Sequence, residues 1–379
     1  MSTDSRYDVA IIGGGLAGLA LSIQCVRTGF TTLLFEREKY PFHKVCGEYI
    51  SLESWNFLQE LGVPLSDMQL PIISRVMISA PGGKYIESPL PLGGFGISRF
   101  TLDQLLAEIA KREGVVLMEQ TKVSDVIYRN NRFIIFSGKG EMEATVAAGA
   151  YGKRGNLDVK WKRQFTQVKP NKLNHYVGVK YHVRIPHPPD LIALHNFENG
   201  YCGISQIEDN NCCLCYLTTA GNLRKSRNDI HTMEKNILSK NPFLEEIFSK
   251  AEMLYDEPLT ISRISFNKKT QVENHVLMIG DSAGMITPLC GNGMSMALHG
   301  SKLAFEEISS FLQGKINRYE LEIQYTQQWE KQFARRLQAG RIIQRFFGNA
   351  ALSNFLLSSV KPFPKFVSYL IRQTHGKPF

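Results

Sequence analysis

Three glycines near the start of the chain have the spacing that lets a protein backbone bind a diphosphate. The sequence G-G-G-L-A-G begins at Gly13 and follows the G-x-G-x-x-G pattern. Gly13 permits a tight turn, Gly15 lets the backbone approach the phosphates, and Gly18 lets a helix pack closely on a strand. The N–H groups at the start of that helix can bind phosphate oxygens. The predicted cofactor contacts in this segment are Gly13, Gly15, Leu16, Ala17 and Gly18.

The residues around this turn predict a strand, a helix and a second strand. Residues 7–12 and 31–35 have the composition of buried strands, and residues 16–27 have helical periodicity. Glu36 follows the second strand, where its carboxylate can accept hydrogen bonds from ribose hydroxyl groups. We therefore expect a βαβ unit that binds a dinucleotide, with Glu36 and its neighbour Arg37 among the contacts.

A second motif, G-D-S-A-G-M-I-T-P-L-C-G-N-G, begins at Gly280 and indicates a flavin. Asp281 follows a predicted short buried strand at 275–279, where its carboxylate can hold a ribityl hydroxyl. Gly291 and Gly293 carry no Cβ atom, which leaves room for a flat ring to approach the backbone. The helix after them directs its positive end at the ring and stabilises a reduced flavin. The predicted cofactor contacts of this motif are Asp281, Pro288, Gly291, Asn292, Gly293 and Met294.

Together these motifs resemble the FAD-dependent oxidoreductase superfamily of the p-hydroxybenzoate-hydroxylase type, which also contains flavin-dependent halogenases and geranylgeranyl reductases. The G-D-x6-P-x2-G-x-G pattern is complete, and Arg99 with Asp103 matches the R-x3-D that precedes a helix in that family. The family's arginine contacts the cofactor. The resemblance therefore implies non-covalently bound FAD, with Arg99 as a further contact.

Two segments look more like the geranylgeranyl reductases than like the hydroxylases. They are G-M-S-M-A-L-H-G from Gly293 and K-V-C-G-E, which contains Cys46. This resemblance implies reduction of C=C bonds in an apolar, isoprenoid- or polyene-like substrate by hydride transfer from reduced flavin. It also implies that Cys46 and Cys290 lie near the flavin. Cys46 is a candidate proton donor or redox partner of Cys290, and His43 a candidate proton relay. Each could instead be a packed or paired neighbour.

Two departures from the family pattern bear on the reaction. Tyr151 occupies the place of an aspartate that the hydroxylases use for cofactor and NADPH, which argues against a standard NADPH-using hydroxylase. Gly203 occupies the place of a tryptophan that faces the substrate in the reductases and halogenases, which argues against halogenation. The residues predicted to contact the substrate are Tyr201, Gly203 and Cys290.

The sequence is also compatible with other functions. The electron donor would be NADPH or a redox protein. One alternative is an FAD-dependent monooxygenase that hydroxylates an aromatic or lipid substrate, and another is a flavin-binding or sensor protein without turnover.

Cys213 and Cys215 share a face of a predicted strand, but no further ligand motif has ordinary zinc spacing, so we expect no metal site.

The order of the predicted elements indicates an α/β fold that leaves and re-enters one domain. An FAD-binding, Rossmann-like domain with a parallel sheet and a β-meander is expected over 1–74, 98–160 and 270–315. An antiparallel-sheet substrate domain is expected over 75–97 and 161–269. A helical C-terminal cap is expected over 316–379, with breaks at Pro362 and Pro364.

Charge and composition limit the compartment and the partners. The chain has 379 residues, with 44 Lys and Arg against 35 Asp and Glu. Nine basic residues and no acidic ones lie from Lys331 onwards, with Trp329, Phe333 and Leu337 close by. This segment could pack on the body of the protein or bind an anionic membrane surface. No signal-peptide pattern or nucleic-acid-binding motif is present in the sequence, so we expect a cytoplasmic protein that binds no nucleic acid, with peripheral membrane association as an alternative.

Overall fold

The computed structural model describes residues 6–169, 174–287, 291–346 and 376–379. All strands within these residues belong to two large sheets. In chain order the strands are β1 (Arg6–Ile12), β2 (Thr32–Phe35), β3 (Tyr49–Ser51), β4 (Ile72–Ser79), β5 (Tyr85–Gly96), β6 (Val116–Met118), β7 (Val123–Arg129), β8 (Arg132–Ser137), β9 (Gly140–Gly149), β10 (Asn174–Arg184), β11 (Leu191–Phe197), β12 (Gly200–Gln206), β13 (Cys212–Thr219), β14 (Glu252–Met253), β15 (Leu259–Ser265), β16 (Val272–Glu273) and β17 (Val276–Met278).

The helices lie around these sheets. In chain order they are α1 (Leu16–Arg27), α2 (Trp55–Glu60), α3 (Arg99–Arg112), α4 (Asn156–Lys160), α5 (Ala220–Lys225), α6 (Ile230–Asn236), α7 (Pro242–Lys250), α8 (Gly293–Leu312) and α9 (Arg318–Phe346). The helix α3 begins at Arg99, so Arg99 and Asp103 lie within the helix and not before it, where the family pattern places them. The helix begins there because the side chain of Ser98 accepts a hydrogen bond from the backbone N–H of Thr101.

The first sheet has the strand order β16-β17-β9-β1-β2-β6. The central strand β1 pairs in parallel with both β2 and β9, and the helix α1 connects β1 to β2. The strands β7, β8 and β9 form an antiparallel meander at the side of this sheet. These pairings confirm the predicted parallel sheet with its βαβ unit and meander.

The second sheet has the strand order β14-β10-β13-β12-β11-β4-β5-β3, with β15 paired to β10. It is antiparallel except for the parallel pair β4 and β11. One face packs against the helices α6 and α7 through Met233 and Leu244. The opposite face includes Tyr201 and Leu217 and packs against Met285, which follows Asp281 in the chain. The second motif therefore lies next to this face.

The chain passes between the two sheets more often than the sequence suggests. The strand β3 lies within the range 1–74 that is predicted for the FAD-binding domain, but it pairs with β5 in the second sheet through Tyr49 and Gly96. The strand β4 begins at Ile72 and also belongs to that sheet. Such pairings between distant segments leave no local pattern in the sequence. The division into domains stays a prediction.

The helix α9 packs against the first sheet and α8. Trp329, Phe333 and Leu337 are 4%, 0% and 6% exposed, so this part of the C-terminal region is a buried cap. Phe379 returns to α8 and stacks on His299 with ring centroids 4.1 Å apart. The breaks predicted at Pro362 and Pro364 lie outside the described residues. Among the residues that are described, no helix combines the length and the apolar character needed to span a bilayer.

Candidate functional site

The glycine turn between β1 and α1 excludes side chains at two positions. Gly13 has a φ of +109°, and a Cβ atom there would lie 2.6 Å from the carbonyl oxygen of Ala150. A Cβ atom on Gly18 would lie 2.0 Å from the carbonyl oxygen of Gly13. Only glycine fits these positions, as the motif predicts. Leu16 and Ala17 begin the helix and are buried.

Gly15 faces a space that is bordered by two cations. Outside its own chain segment, the nearest atoms to a Cβ atom on Gly15 would be Nη2 of Arg99 at 3.7 Å and Nζ of Lys44 at 3.8 Å. Both cations bind Asp103, Arg99 through two hydrogen bonds of 2.7 and 2.8 Å and Lys44 through one of 2.9 Å. Two positive charges share one carboxylate, so the space in front of Gly15 suits an anion.

Glu36 lies beside the turn and fixes it. Its carboxylate accepts hydrogen bonds from the backbone N–H of Gly14 at 2.9 Å and of Glu38 at 3.0 Å. Arg37 is 73% exposed and forms an ion pair with Glu38 at 3.3 Å. The structure thus places Glu36 at the predicted position, and the contact of Arg37 with a cofactor stays a prediction.

The second motif adjoins the first. A Cβ atom on Gly280 would lie 3.2 Å from the Cβ atom of Ala17 and 3.4 Å from that of Ala297, so this loop packs between α1 and α8. Burial raises the pKa of Asp281, and the charges of Lys269, Arg99 and Lys153 oppose that rise. The two motifs and Arg99 therefore meet at one place in the fold.

The glycines at the start of α8 also adjoin this place. Gly291 has a φ of +67°, and a Cβ atom there would lie 2.9 Å from the ring of Tyr49. Asn292 and Met294 are buried, whereas Gly293 is partly exposed and lines a crevice with Gly280 and Asp281. Pro288 and Cys290 lie outside the described residues, so a pair between Cys46 and Cys290 remains a hypothesis.

Cys46 lies at the junction of the two sheets. Its carbonyl oxygen accepts a hydrogen bond from the thiol of Cys213 on β13, with an S···O distance of 3.2 Å. Burial raises the pKa of the Cys46 thiol above its ordinary value. The thiol is therefore protonated near neutral pH, which suits a proton donor better than a nucleophile.

A buried ion pair next to Cys46 has no signal in the sequence. The carboxylate of Glu48 binds the ammonium of Lys180, and both side chains are fully buried. Glu48 also accepts hydrogen bonds from His182 at 2.6 Å and from the backbone N–H of Arg99 at 2.7 Å. Burial opposes ionisation of Glu48, but the hydrogen bond from His182 and the charge of Lys180 outweigh it and lower its pKa. Glu48 thus joins the second sheet to the first turn of α3.

His43 lies in an aromatic cluster beside this pair. Its ring stacks on Phe100 with centroids 4.6 Å apart, and its Nδ1 lies 3.2 Å from the hydroxyl of Tyr255. The edge of the ring faces His182 at 5.3 Å. Burial, followed by the charges of Lys180 and His182, lowers the pKa of His43, so its imidazole is neutral near pH 7. A neutral imidazole bonded to a phenol can pass a proton on.

Three potential metal ligands lie together in this region. Donor atoms of Glu48, His182 and Cys213 lie within 4.8 Å of one another. The carboxylate of Glu48 is already bonded to His182 and to the ammonium of Lys180. We therefore interpret the group as an ion-pair cluster rather than a metal site.

The face of the second sheet that adjoins the second motif is apolar. Tyr201 is 4% exposed, and its side chain packs with Leu194, Leu217 and Phe266. A Cβ atom on Gly203 would lie 3.4 Å from Cδ2 of Leu194, which is an ordinary contact. The backbone therefore does not require glycine at this position.

Tyr151, which the sequence resemblance aligns with an aspartate of the hydroxylases, lies beside buried polar side chains. Its hydroxyl donates a hydrogen bond of 2.9 Å to Asp158, which also binds Arg163 at 2.8 Å. Cβ atoms on Gly149 and Gly155 would lie 2.9 and 2.7 Å from its ring, so these glycines make room for the phenol. Asp158 and Arg163 are buried.

Known proteins resemble this chain over most of its length. The conditioned medium factor receptor 1 of Dictyostelium discoideum is 26% identical over 337 residues, which cover 79% of this chain and 63% of the receptor. The digeranylgeranylglycerophospholipid reductase 2 of Methanothermobacter thermautotrophicus is 23% identical over 369 residues, which cover 88% of this chain and 86% of the reductase. The flavin-dependent brominase Bmp2 superimposes with a TM-score of 0.78 at 20% identity, covering 97% of this chain and 93% of the brominase. No family model matches the chain.

The likeness to the brominase confirms the predicted fold. The similarity to the reductase supports the predicted superfamily of FAD-dependent oxidoreductases. The chain spans less than two thirds of the Dictyostelium receptor. Within the superfamily, the p-hydroxybenzoate-hydroxylase type and the geranylgeranyl reductase-like branch stay predictions.

Proposed function

We propose that this protein binds FAD non-covalently and reduces C=C bonds of an apolar, isoprenoid- or polyene-like substrate. The observation that carries the proposal is the apolar face of the second sheet, which lies against Met285 in the loop that follows Asp281. A substrate on this face would lie next to the predicted flavin site. The similarity to the digeranylgeranylglycerophospholipid reductase 2 of Methanothermobacter thermautotrophicus supports the same substrate class.

The residues around the glycine turn fit FAD. Arg99 and Lys44 border the space in front of Gly15, where the diphosphate would bind. Asp281 would hold the ribityl chain, and Glu36 would hold the ribose next to the adenine. The bound flavin supplies the hydride, and the protein positions the substrate and provides the proton.

Cys46 is the proposed proton donor. Burial keeps its thiol protonated near neutral pH, so the thiol can give its proton to the substrate carbon that does not receive the hydride. His43 and Tyr255 would return a proton from solvent, because both are only half-buried and bonded to each other. NADPH or a redox protein would supply the electrons.

Anaerobic mixing tests this proposal. The purified protein is reduced with dithionite in a sealed cell and mixed with a geranylgeranyl-bearing lipid while flavin absorbance is followed. We expect the flavin to be reoxidised and the product to gain two hydrogen atoms by mass spectrometry. A product that gains oxygen only in air would instead favour the monooxygenase, and reduced flavin that no alkene reoxidises would favour a non-catalytic flavin protein.

A matched pair of variants tests the proton donor. Cys46→Ala removes the thiol and should slow reoxidation by about 100-fold, the usual size of a general-acid contribution. Cys25→Ala is the control, because Cys25 is buried in α1 and takes no part in the proposed site. Equal rates in the two variants would exclude Cys46 as the donor.

A further inference from the structure

Lys269 is a buried lysine that binds two backbone segments of the candidate cofactor site. Lys269 is only 4% exposed. The ammonium donates hydrogen bonds to the carbonyl oxygen of Asp281 at 2.7 Å and to that of Lys153 at 2.6 Å. It also lies 4.4 Å from the ring centroid of Phe165. Lys269 thus ties the loop that carries Asp281 to the segment that follows β9.

Arg163 supports the same loop from a second side. Its Nη1 donates to the carbonyl oxygen of Ser282 at 3.1 Å and to the carboxylate of Asp158 at 2.8 Å. Two buried cations therefore hold consecutive carbonyl groups of this loop, at Asp281 and Ser282. Without these cations, both carbonyl oxygens would lose these hydrogen bonds.

Positive charge is concentrated around Asp281. Burial is the main cause of the lowered pKa of Lys269, which is about 8. The charge of Arg163 lowers this pKa further, whereas the charges of Asp281 and Asp158 raise it. Burial also lowers the pKa of Lys153 to about 8, opposed by Asp281 and reinforced by Lys269. Crowded, partly desolvated cations of this kind are stabilised when an anion binds beside them.

We propose that Lys269 is a positioning residue of the FAD site, which fixes the loop of Asp281 and, together with Lys153, favours binding of the anionic dinucleotide. This inference rests on the proposed cofactor. It adds two lysines that lie outside both glycine motifs. Asp281 is the carboxylate whose charge acts on both lysines, and a bound dinucleotide would add further negative charge to this region.

The proposal predicts how FAD affinity depends on pH. FAD binding adds negative charge and raises the pKa of both lysines. A group whose pKa is raised on binding contributes fully below its pKa in the free protein, and this contribution is lost as the pH rises from that value through the higher pKa of the complex. The dissociation constant of FAD should therefore increase by about tenfold between pH 7 and pH 9.

Equilibrium ultrafiltration of the FAD-loaded protein measures this affinity from the fluorescence of released FAD. Lys269→Met should raise the dissociation constant by about 10- to 100-fold at pH 7, the range for loss of charged hydrogen bonds. The double variant Lys153→Met/Lys269→Met should give a constant that no longer changes between pH 7 and pH 9. Lys268→Met is the matched control, because Lys268 is 77% exposed and pairs with Glu330 at 3.3 Å.

Several outcomes are distinguishable. If Lys269→Met binds FAD as tightly as Lys268→Met, or if FAD affinity of the unmodified protein is constant from pH 7 to pH 9, the inference is wrong. If Lys269→Met does not fold, Lys153→Met and the pH profile of the unmodified protein still decide it. An unmodified protein that binds no FAD at any pH would instead overturn the proposed function.

Discussion

The ammonium of Lys180 and the carboxylate of Glu48 form an ion pair in which both side chains are fully buried. Lys180 lies on β10 of the second sheet, and Glu48 lies two residues after Cys46 with a φ of +55°. The pair therefore holds the segment of Cys46 against the second sheet. Removing one partner would leave the other charge buried without its counter-ion.

Lys180→Met should lower the free energy of unfolding by about 3–5 kcal/mol, because breaking a buried pair leaves an uncompensated charge. Urea denaturation followed by circular dichroism measures this change. Lys250→Met is the matched control: Lys250 pairs with Glu246 on α7, and the two side chains are 65% and 58% exposed. That control should lose less than about 1 kcal/mol. Similar losses in both variants would contradict the role assigned to Lys180.

Asp281→Ala should weaken FAD binding by about 1–3 kcal/mol, since one or two hydrogen bonds to the ribityl chain are lost. Ultrafiltration with fluorescence detection of released FAD gives the dissociation constant. Asp67→Ala, on the surface near α2, serves as the control. Unchanged affinity in Asp281→Ala would mean that the second motif is misassigned.

Local patterns predict the cofactor half of the site better than the rest. The tight turn at Gly13 and the Cβ-free contact at Gly18 follow from glycine spacing alone, and the structure has both. The pair of Lys180 with Glu48 joins residues that are 132 positions apart, so no spacing rule indicates it. The same holds for Lys269, because its partners Lys153 and Asp281 come within hydrogen-bond distance only in the folded chain.

The C-terminal helix shows a second limit of sequence patterns. The aromatic and basic pattern from Trp329 to Leu337 fits both a membrane face and a helix packed on the body. Sequence periodicity reports that a face is apolar and not what covers it. In the structure that face covers the first sheet and α8, and the hydroxyl of Tyr325 donates to the carbonyl oxygen of Met278 at 2.5 Å.

NADPH alone should reduce the flavin slowly. Tyr151 occupies the place of the hydroxylase aspartate, and its hydroxyl is bonded to the buried Asp158. Anaerobic stopped-flow mixing with NADPH, with dithionite as a positive control, measures the rate. Tyr151→Phe keeps the ring and should reduce as slowly as the unmodified protein. Rapid reduction of the unmodified protein by NADPH, without another protein, would contradict this prediction.

Stability should fall as the pH drops from 7 to 5, partly because of His195. The ring is 1% exposed, and its Nδ1 lies 2.9 Å from the hydroxyl of Ser79. Burial, and then the charge of His187, lowers the pKa of His195 to about 3. Below about pH 6.5 His195 is protonated in the unfolded chain but stays neutral in the folded protein. The free energy of unfolding therefore decreases as the pH falls from about 6.5 to 5.

Urea denaturation at pH 7 and pH 5 measures this loss, which should be about 2 kcal/mol for one such histidine. His195→Gln should reduce the difference between the two pH values, even though the variant is less stable at both. His231→Gln is the matched control, because the side chain of His231 is 65% exposed on α6. An unchanged difference in His195→Gln would assign the pH dependence to other groups.

The basic C-terminal segment is expected to bind anionic membranes through its charges and not through its buried aromatic residues. Trp329, Phe333 and Leu337 are at most 6% exposed, so they are withdrawn from any lipid surface. Lys331 and Arg335 are exposed on α9, and further basic residues follow outside the described part of the chain. Each basic residue near an anionic leaflet contributes about 1 kcal/mol, and salt screens this attraction.

Flotation with anionic vesicles at low and high salt, with neutral vesicles as the control, measures the binding. We expect the protein to float with anionic vesicles at low salt and to be released at high salt. Truncation before Lys331 would remove Phe333 and Leu337 from the core and should unfold the protein. Lys331→Glu/Arg335→Glu leaves that core intact and should weaken flotation while preserving FAD binding. If the intact protein stays in solution with anionic vesicles even at low salt, the segment is a basic structural cap and the membrane hypothesis fails.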